Sequence, residues 1–488
     1  LRPYPELNSC FAFVLQAAVR IVEDGEVTDR RSAAGAIYGT QWPKDRMAEM
    51  ERKPREIARR RLPWSVRRPR FWSAQRDLRT IFRSAHDFAC QPPAGGRSMQ
   101  SPYRSEHLYD WMVGVRRALH RRPELAFEEV ETAKRLISEL DGLGIPSEYG
   151  GAGSAVIGRL ECELADAPTF ALRADMDALP GAENTDLPFA STIEGKMHAC
   201  GHDAHMTMVL GGAALLKAEP PPCNVMFVFQ PAEEKGGGAR TVVQSGALEG
   251  VSAIFGGHVT HHYRVGEIMV AEGTITAQSD RFRIDIRGRG GHGARPHEAT
   301  DAVVVAGQMI TAMQTLVSRE INPVFPSVVT VGTVHAGSAP NVIAEDAYME
   351  GSIRTTLPEV RDHIHAGLMR MGQAMGALHN AEVKVEITPG YPPVVNTARE
   401  AAIAHRAAER VVGREGLMVM DHPSMGAEDF AFYLEKVPGC YVRFGARLRE
   451  NEYIPLHSPE FDINEEVLKV GAAFFDEVVR EAVKNYGS

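Results

Sequence analysis

The chain reads as an α/β protein in which a large domain with a mixed sheet is interrupted by a smaller α+β domain of ferredoxin-like order. Three observations predict this. Short apolar runs alternate with helical ones between residues 169 and 255. The pattern then switches at Phe282-Arg283-Ile284-Asp285-Ile286-Arg287 to strict alternation of apolar and charged residues, the mark of a strand buried on one face. The elements that follow run strand, helix, two strands, helix and strand, the order of a split βαβ unit.

Taken in order, residues 106–141 are predicted helical, since His107, Met112, Val115 and Leu119 recur at near-helical spacing and Thr132–Leu140 repeats the pattern. Thr169–Leu172, Val225–Phe229 and Ala253–Phe255 read as buried strands, with helices at Ala204–Leu216 and Arg240–Gly246 between them. Beyond the half-buried strand, a helix is predicted at Asp301–Ser318 and strands at Val328–His335 and Ala347–Thr355. Another helix follows at Glu359–Met375, then a strand at Glu382–Ile387. Longer helices and buried runs return after Pro392. The expected division is an extension over 1–98, a large domain over 99–280 and 392–488, and an inserted domain over 281–391.

Charge supports the first boundary. Residues 1–98 hold 19 Lys+Arg against 11 Asp+Glu, whereas the remainder holds 35 against 52, a swing from +8 to −17. Three of the four tryptophans also lie before Met99. Eleven carboxylates argue against a targeting peptide, and Gln16 interrupts the apolar run Phe11–Val19, so a secretory signal is disfavoured. A basic docking arm and upstream sequence with no selected fold remain as readings, the second making Met99 the start.

The chain as a whole is acidic, at −9, which gives no reason to expect nucleic acid. It contains no uninterrupted apolar run long enough for a membrane-spanning helix. Its six cysteines, Cys10, Cys90, Cys162, Cys200, Cys223 and Cys440, are too scattered for a disulfide framework, so a cytoplasmic location is expected.

Chemistry concentrates in Met197-His198-Ala199-Cys200-Gly201-His202-Asp203-Ala204-His205, where three imidazoles, a thiol and a carboxylate fall within nine residues. Thiolate and neutral imidazole are good ligands for a divalent transition metal, and Gly201 lets Cys200 and His202 approach one ion. A loop satisfied by its own hydrogen bonds is the competing reading. Upstream, the strand ending in Arg173-Ala174-Asp175-Met176-Asp177 places carboxylates where open α/β sheets carry ligands, or else forms a turn with solvated aspartates. Downstream, Gln230-Pro231-Ala232-Glu233-Glu234 follows a buried strand. Adjacent glutamates there admit a division of labour, one on a metal and one free as a base. His258 ends another apolar run.

Gly288-Arg289-Gly290-Gly291-His292-Gly293 matches a dinucleotide fingerprint, but the strand before it is half charged and Pro296 intervenes before any helix, so the glycines are read as presenting His292. Asn341, Arg354, Gly426–Asp429 and His457 are individually more typical of structural positions, and His335, His363 and His405 read as packing or surface residues.

Together these segments resemble the metal-dependent amidohydrolases that include aminoacylases, hippurate hydrolase and auxin-conjugate hydrolases, with related carboxypeptidases. The resemblance runs over residues 104–485. It is carried by Leu119–Leu125, Arg173–Pro180, His198–Asp203, Gln230–Glu234, Gly290–His297, Ala339–Ile343, Gly426–Phe430 and Leu456–Pro459. It implies two divalent ions, manganese or zinc, held by Cys200, His202, Glu234, His258 and His457. Glu233 would be the general base, and Asp177 would orient a ligand. The inserted domain would be a lid that also mediates homodimerisation, bringing His292 to the partner subunit's site. Asn341 and Arg354 would bind the free carboxylate of an N-acyl amino acid, with Gly426 also at the substrate. The implied reaction is hydrolysis of a linear amide. A dipeptidase or carboxypeptidase shares the same centre, and a catalytically silent binding protein is the remaining alternative. Two details depart from the family pattern: Val259-Thr260-His261-His262 after His258, and Ala344 where many relatives have Pro.

Overall fold

The computed structural model describes residues 106–150, 153–449 and 452–486. The extension 1–98, and Met99 with it, lie outside these residues. The predicted helix over 106–141 is two helices, α1 (Glu106–His120) and α2 (Val130–Gly142). Pro123 sits in the connection and Phe127 adopts φ +66°, so the helical periodicity on either side belongs to separate rods.

Eight strands form the large sheet: β1 (Ser147–Tyr149), β2 (Val156–Leu160), β3 (Thr169–Asp175), β4 (Asn224–Gln230), β5 (Val251–Thr260), β6 (Ile268–Met269), β11 (Leu417–Met418) and β12 (Gly439–Gly445). Their order is β1-β2-β4-β3-β5-β12-β6-β11. The centre, β4-β3-β5-β12, is parallel, and antiparallel pairings flank it at β2 and β6. Parallel strands are covered on both faces, which explains why β3, β4 and β5 read as continuous apolar runs. Helices α3 (His202–Ala218), α7 (Ala398–Val412) and α8 (Val467–Tyr486) join α1 and α2 over one face around Phe227, Phe255 and Phe444. The short helix α4 (Gly238–Gln244) and the segment around Phe430 cover the other. Helix α3 is buried almost all round, so its sequence lacks a polar face. It packs on α8 at Gly471, where an added Cβ would come within 2.0 Å of Met208 Sδ.

The four-stranded sheet contains β7 (Gln278–Arg287), β8 (Ser327–Ala336), β9 (Asp346–Thr355) and β10 (Glu382–Pro389), ordered β8-β9-β7-β10 and antiparallel throughout. Helices α5 (Ala302–Thr315) and α6 (Pro358–His379) pack on one face, giving a separate core around Ile284, Met309 and Ile364. Asp301 caps α5 by accepting the Val303 N–H at 2.9 Å, and Pro358 begins α6. In β7 the residues Phe282, Ile284 and Ile286 are buried while their neighbours are not, as the alternation predicts. The strand begins three residues before Arg281, at Gln278.

Candidate metal and substrate site

The parallel strands end together, and their C-terminal edge carries the polar residues. Asp175 closes β3 beside Gln230, which closes β4, and His258 lies near the end of β5. Asp177 follows β3 and Glu233-Glu234 follow β4. Cys200 and His202 stand on either side of Gly201 at the start of α3. Gly201 has φ +91°, and a Cβ there would lie 2.4 Å from Val259 Cγ2, so only glycine permits this approach.

Five predicted ligands converge. Cys200 Sγ lies 3.2 Å from His258 Nε2, and Glu234 Oε1 lies 3.1 Å from His457 Nε2 and 3.9 Å from His202 Nε2. The donor atoms of Cys200, His202 and His258 all fall within 4.8 Å of one another, as do those of Cys200, Glu234 and His457. The two triads share Cys200.

Hydrogen bonds prepare the imidazoles as ligands. His202 Nδ1 donates to the Asp177 carbonyl at 2.8 Å and His258 Nδ1 to the Val259 carbonyl at 2.6 Å, which leaves both Nε2 lone pairs facing the cluster. His202 Nε2 is buried with no hydrogen bond, and Glu234 Oε1 has only its 3.1 Å contact with His457 and the 3.9 Å contact with His202. His205 differs, because its Nδ1 meets Asp175 at 2.7 Å and its Nε2 accepts the Val259 N–H at 2.9 Å, so it has no lone pair to offer. Its neighbour Asp175 also receives Arg173 at 2.7 Å. His457 adopts φ +69°, a conformation costly for a side chain with a Cβ, and its N–H donates to the Ala199 carbonyl at 2.8 Å.

The electrostatics call for cations. Burial alone would lower the His202 pKa, but Asp175, Asp177 and Glu234 outweigh it and raise it to about 10. Burial and the carboxylates of Glu234 and Glu233 push the Cys200 thiol up. Burial and the neighbouring Glu428, Glu234 and Asp429 push Glu233 up. A divalent ion would reverse each effect, turning thiol to thiolate and carboxylic acid to carboxylate. The residues present therefore fit metal.

The carboxylate of Asp177 accepts the backbone N–H groups of Glu233 and Glu234, each at 3.0 Å. Tyr391 donates its hydroxyl to the Glu233 carbonyl at 2.7 Å. Beneath lies a buried network that the sequence does not predict. Arg173, 1% exposed, reaches Asp175, Gln230, Glu428 and Asp429 at 2.7–3.1 Å, and Tyr441 bonds Glu428. Its one sequence signal is an arginine inside an otherwise apolar strand, a charge that must be paired when buried.

The cluster opens into a cleft of about 1310 Å³ lined by both sheets' residues. Arg354 of β9 and Gly426 line it, whereas His292 and Asn341 do not. Both are exposed: His292 pairs with Val342 in a two-residue ribbon, and Asn341 directly precedes that strand. Arg354 Nη1 is buried without a hydrogen bond. His335 stacks on Tyr348 and His363 pairs with Glu320, consistent with packing and surface roles.

Residues 171–481 match the model of peptidase family M20/M25/M40. The chain is 41% identical over 379 residues to IAA-amino acid hydrolase ILR1-like 5 of Arabidopsis thaliana, covering 76% of this chain and 86% of that one. It is 39% identical to N-acetylcysteine deacetylase of Bacillus subtilis, covering 76% and 98%. A solved Bacillus subtilis structure, a dinuclear metal binding peptidase from the M20 family, superposes with TM-score 0.68 at 36% identity, covering 78% of this chain and 99% of that one. With the paired ligand triads, these likenesses identify a hydrolase built for two divalent metal ions, and the chain belongs to peptidase family M20/M25/M40.

Proposed function

We propose that the protein hydrolyses the amide bond of N-acyl amino acids, releasing a carboxylic acid and an amino acid. The observation that carries this reading is the unpaired, buried Nη1 of Arg354, which shares one cleft with the ligand cluster and Glu233. A guanidinium placed so is a receptor for the free carboxylate of an amino acid. The names of the two relatives, a hydrolase of IAA-amino acids and a deacetylase of N-acetylcysteine, support the same substrate class.

Cys200, His202 and His258 would hold one ion, and Cys200, Glu234 and His457 the other, with manganese or zinc suited to this mixed donor set. When bound, such ions polarise the amide carbonyl and acidify water. Glu233 takes the proton of the attacking water and passes it to the leaving nitrogen. Asp177 fixes the Glu233-Glu234 backbone and the His202 ring, so base and ligands keep one geometry. Arg354 holds the carboxylate, with Gly426 lining the same cleft. Asn341 and His292 act on the partner subunit's substrate, His292 as a donor to the developing oxyanion. The exposed edge strand β8, with Val328 and Val334 at 40% and 45% exposure, supports a homodimer formed through the inserted domain. All four cysteines among the described residues are free, which supports a reducing, cytoplasmic setting. Among the described residues no helix is long and apolar enough to cross a membrane.

Release of free amine from N-acetyl, N-benzoyl and indole-acetyl amino acids, beside plain dipeptides, tests the reading. Metal-dependent release from the acyl substrates is expected. Cleavage of dipeptides alone would favour the peptidase reading, which the M20 peptidase structure keeps in play.

A further inference from the structure

Arg443 occupies the middle of β12, where it pairs with His258 of β5 on one side and Met269 of β6 on the other. Residues opposite one another in a sheet point to the same face. Arg443 therefore emerges on the face of the ligand His258, and it lines the cleft. Among the described residues its guanidinium has no ion pair and no hydrogen bond. Its one aromatic contact is with Tyr441, whose ring centroid lies 5.2 Å from the guanidinium. Four other cations line the cleft, Lys235, Arg240, Arg281 and Arg354, but none is paired in a sheet with a ligand.

Arg354 and Arg443 both line the cleft and come from different sheets. Arg354 belongs to the inserted domain and neighbours Tyr391, which is bonded to Glu233. Arg443 belongs to the large sheet and neighbours His258. A substrate held by its amino-acid carboxylate at Arg354 extends its acyl part along the cleft. The cleft is also lined by Tyr263, Met269, Tyr453 and Leu456, which suit a carbon chain, and by His262, whose ring lies 4.9 Å from that of Tyr453. Burial, together with the charges of Arg447, Arg443 and His422, holds the His262 pKa below the ordinary value. Asp421 also lines the cleft, but not within ion-pair distance of Arg443.

We propose that Arg443 is a specificity-determining residue that receives a terminal carboxylate on the acyl group, so that the preferred substrates are amino acids acylated with a short dicarboxylic acid. This rests on the N-acyl amino acid reading. Because Arg443 pairs directly with His258 on the neighbouring strand, the acyl group between the scissile amide and its guanidinium is a short one, of about four or five carbons. The products are a dicarboxylic acid and an amino acid, the amide C–N bond having broken and one water having been added.

The test compares kcat/KM for N-succinyl with N-butyryl and for N-glutaryl with N-pentanoyl derivatives of one amino acid, pairs that differ by a carboxylate in place of a methyl. A preference of about tenfold or more for the acid is expected, as for a charge-assisted contact. Arg443→Gln should remove that preference and Arg443→Lys should keep part of it. Equal rates in the wild-type protein, or a ratio unmoved in Arg443→Gln because both substrates slow together, overturn the proposal. If the variants do not fold, inhibition of the wild-type protein decides: succinate must outcompete butyrate, and equal inhibition overturns the proposal. Hydrolysis of neutral acyl substrates alone overturns this inference and spares the function, whereas silence on every acyl amino acid overturns both.

Discussion

Asp177 Oδ2 accepts the backbone N–H of Glu234 at 3.0 Å, while the Asp177 carbonyl accepts His202 Nδ1 at 2.8 Å. One residue thus sets the orientation of two proposed ligands through its side chain and its backbone. Its second carboxylate oxygen holds the N–H of Glu233, so the base is tied to the same point. Asp177→Ala leaves the buried N–H of Glu233 and the half-buried N–H of Glu234 without acceptors. Metal affinity is expected to fall about 10- to 100-fold, as for other groups that orient ligands, measured by calorimetric titration of the apoprotein. Unchanged affinity would detach Asp177 from the centre.

Gly201→Ala should be among the most damaging small substitutions. A methyl there meets Val259 Cγ2 at 2.4 Å and must adopt φ +91°. Strain and clash together are expected to cost about 2 kcal/mol or more, read from denaturant unfolding. Metal binding should weaken in the same variant, because Cys200 and His202 flank the displaced residue.

Arg173→Met should destabilise more strongly, by about 3–5 kcal/mol, since it leaves Asp175, Glu428 and Asp429 buried without their cation. Asp175 would also lose its fixed orientation toward His205. Thermal unfolding of the metal-free protein reads this effect apart from metal loss.

How much of the site is legible in the sequence depends on distance along the chain. The Cys200/His202 pair and the Glu233-Glu234 pair are local, so residue type and spacing are enough to mark them. The alternation of β7 is equally local. Arg173 and Asp429 lie 256 residues apart, and nothing in either neighbourhood announces the other. The break at Pro123 is written in the sequence, but the periodicity continuing on both sides masks it. Arg443 gives no signal, because its meaning comes from which strands flank β12.

His120, which is not itself a proposed ligand, provides a pH signature. It is buried, which would lower its pKa, but hydrogen bonds to Asp203 at 2.8 Å and Glu183 at 3.3 Å raise it to about 9. A raised folded-state value means that this stabilisation is complete below the unfolded value of about 6.5 and is lost as pH rises through 9. Denaturant unfolding at pH 6.5 and 9.5 should show a loss of about 2–3 kcal/mol, flattened in His120→Gln. Equal slopes in both proteins would contradict the assignment.

The exposed position of His292 leads to a complementation test. His292→Ala and Glu233→Gln should each be inactive alone, and mixed dimers should recover part of the activity, since one site per dimer regains a base and a donor in trans. No recovery after subunit exchange would place His292 outside the reaction.

Glu233 moving the proton while Cys200, His202, Glu234, His258 and His457 hold the metal is the division of labour on which the proposed chemistry stands. The most direct measurement takes Glu233→Gln, determines bound manganese or zinc, and follows amine release from an N-acyl amino acid in the same sample. Full metal content is expected, with turnover lowered by at least about 100-fold, the scale of a lost general base. Near wild-type turnover with the metal in place would contradict that assignment.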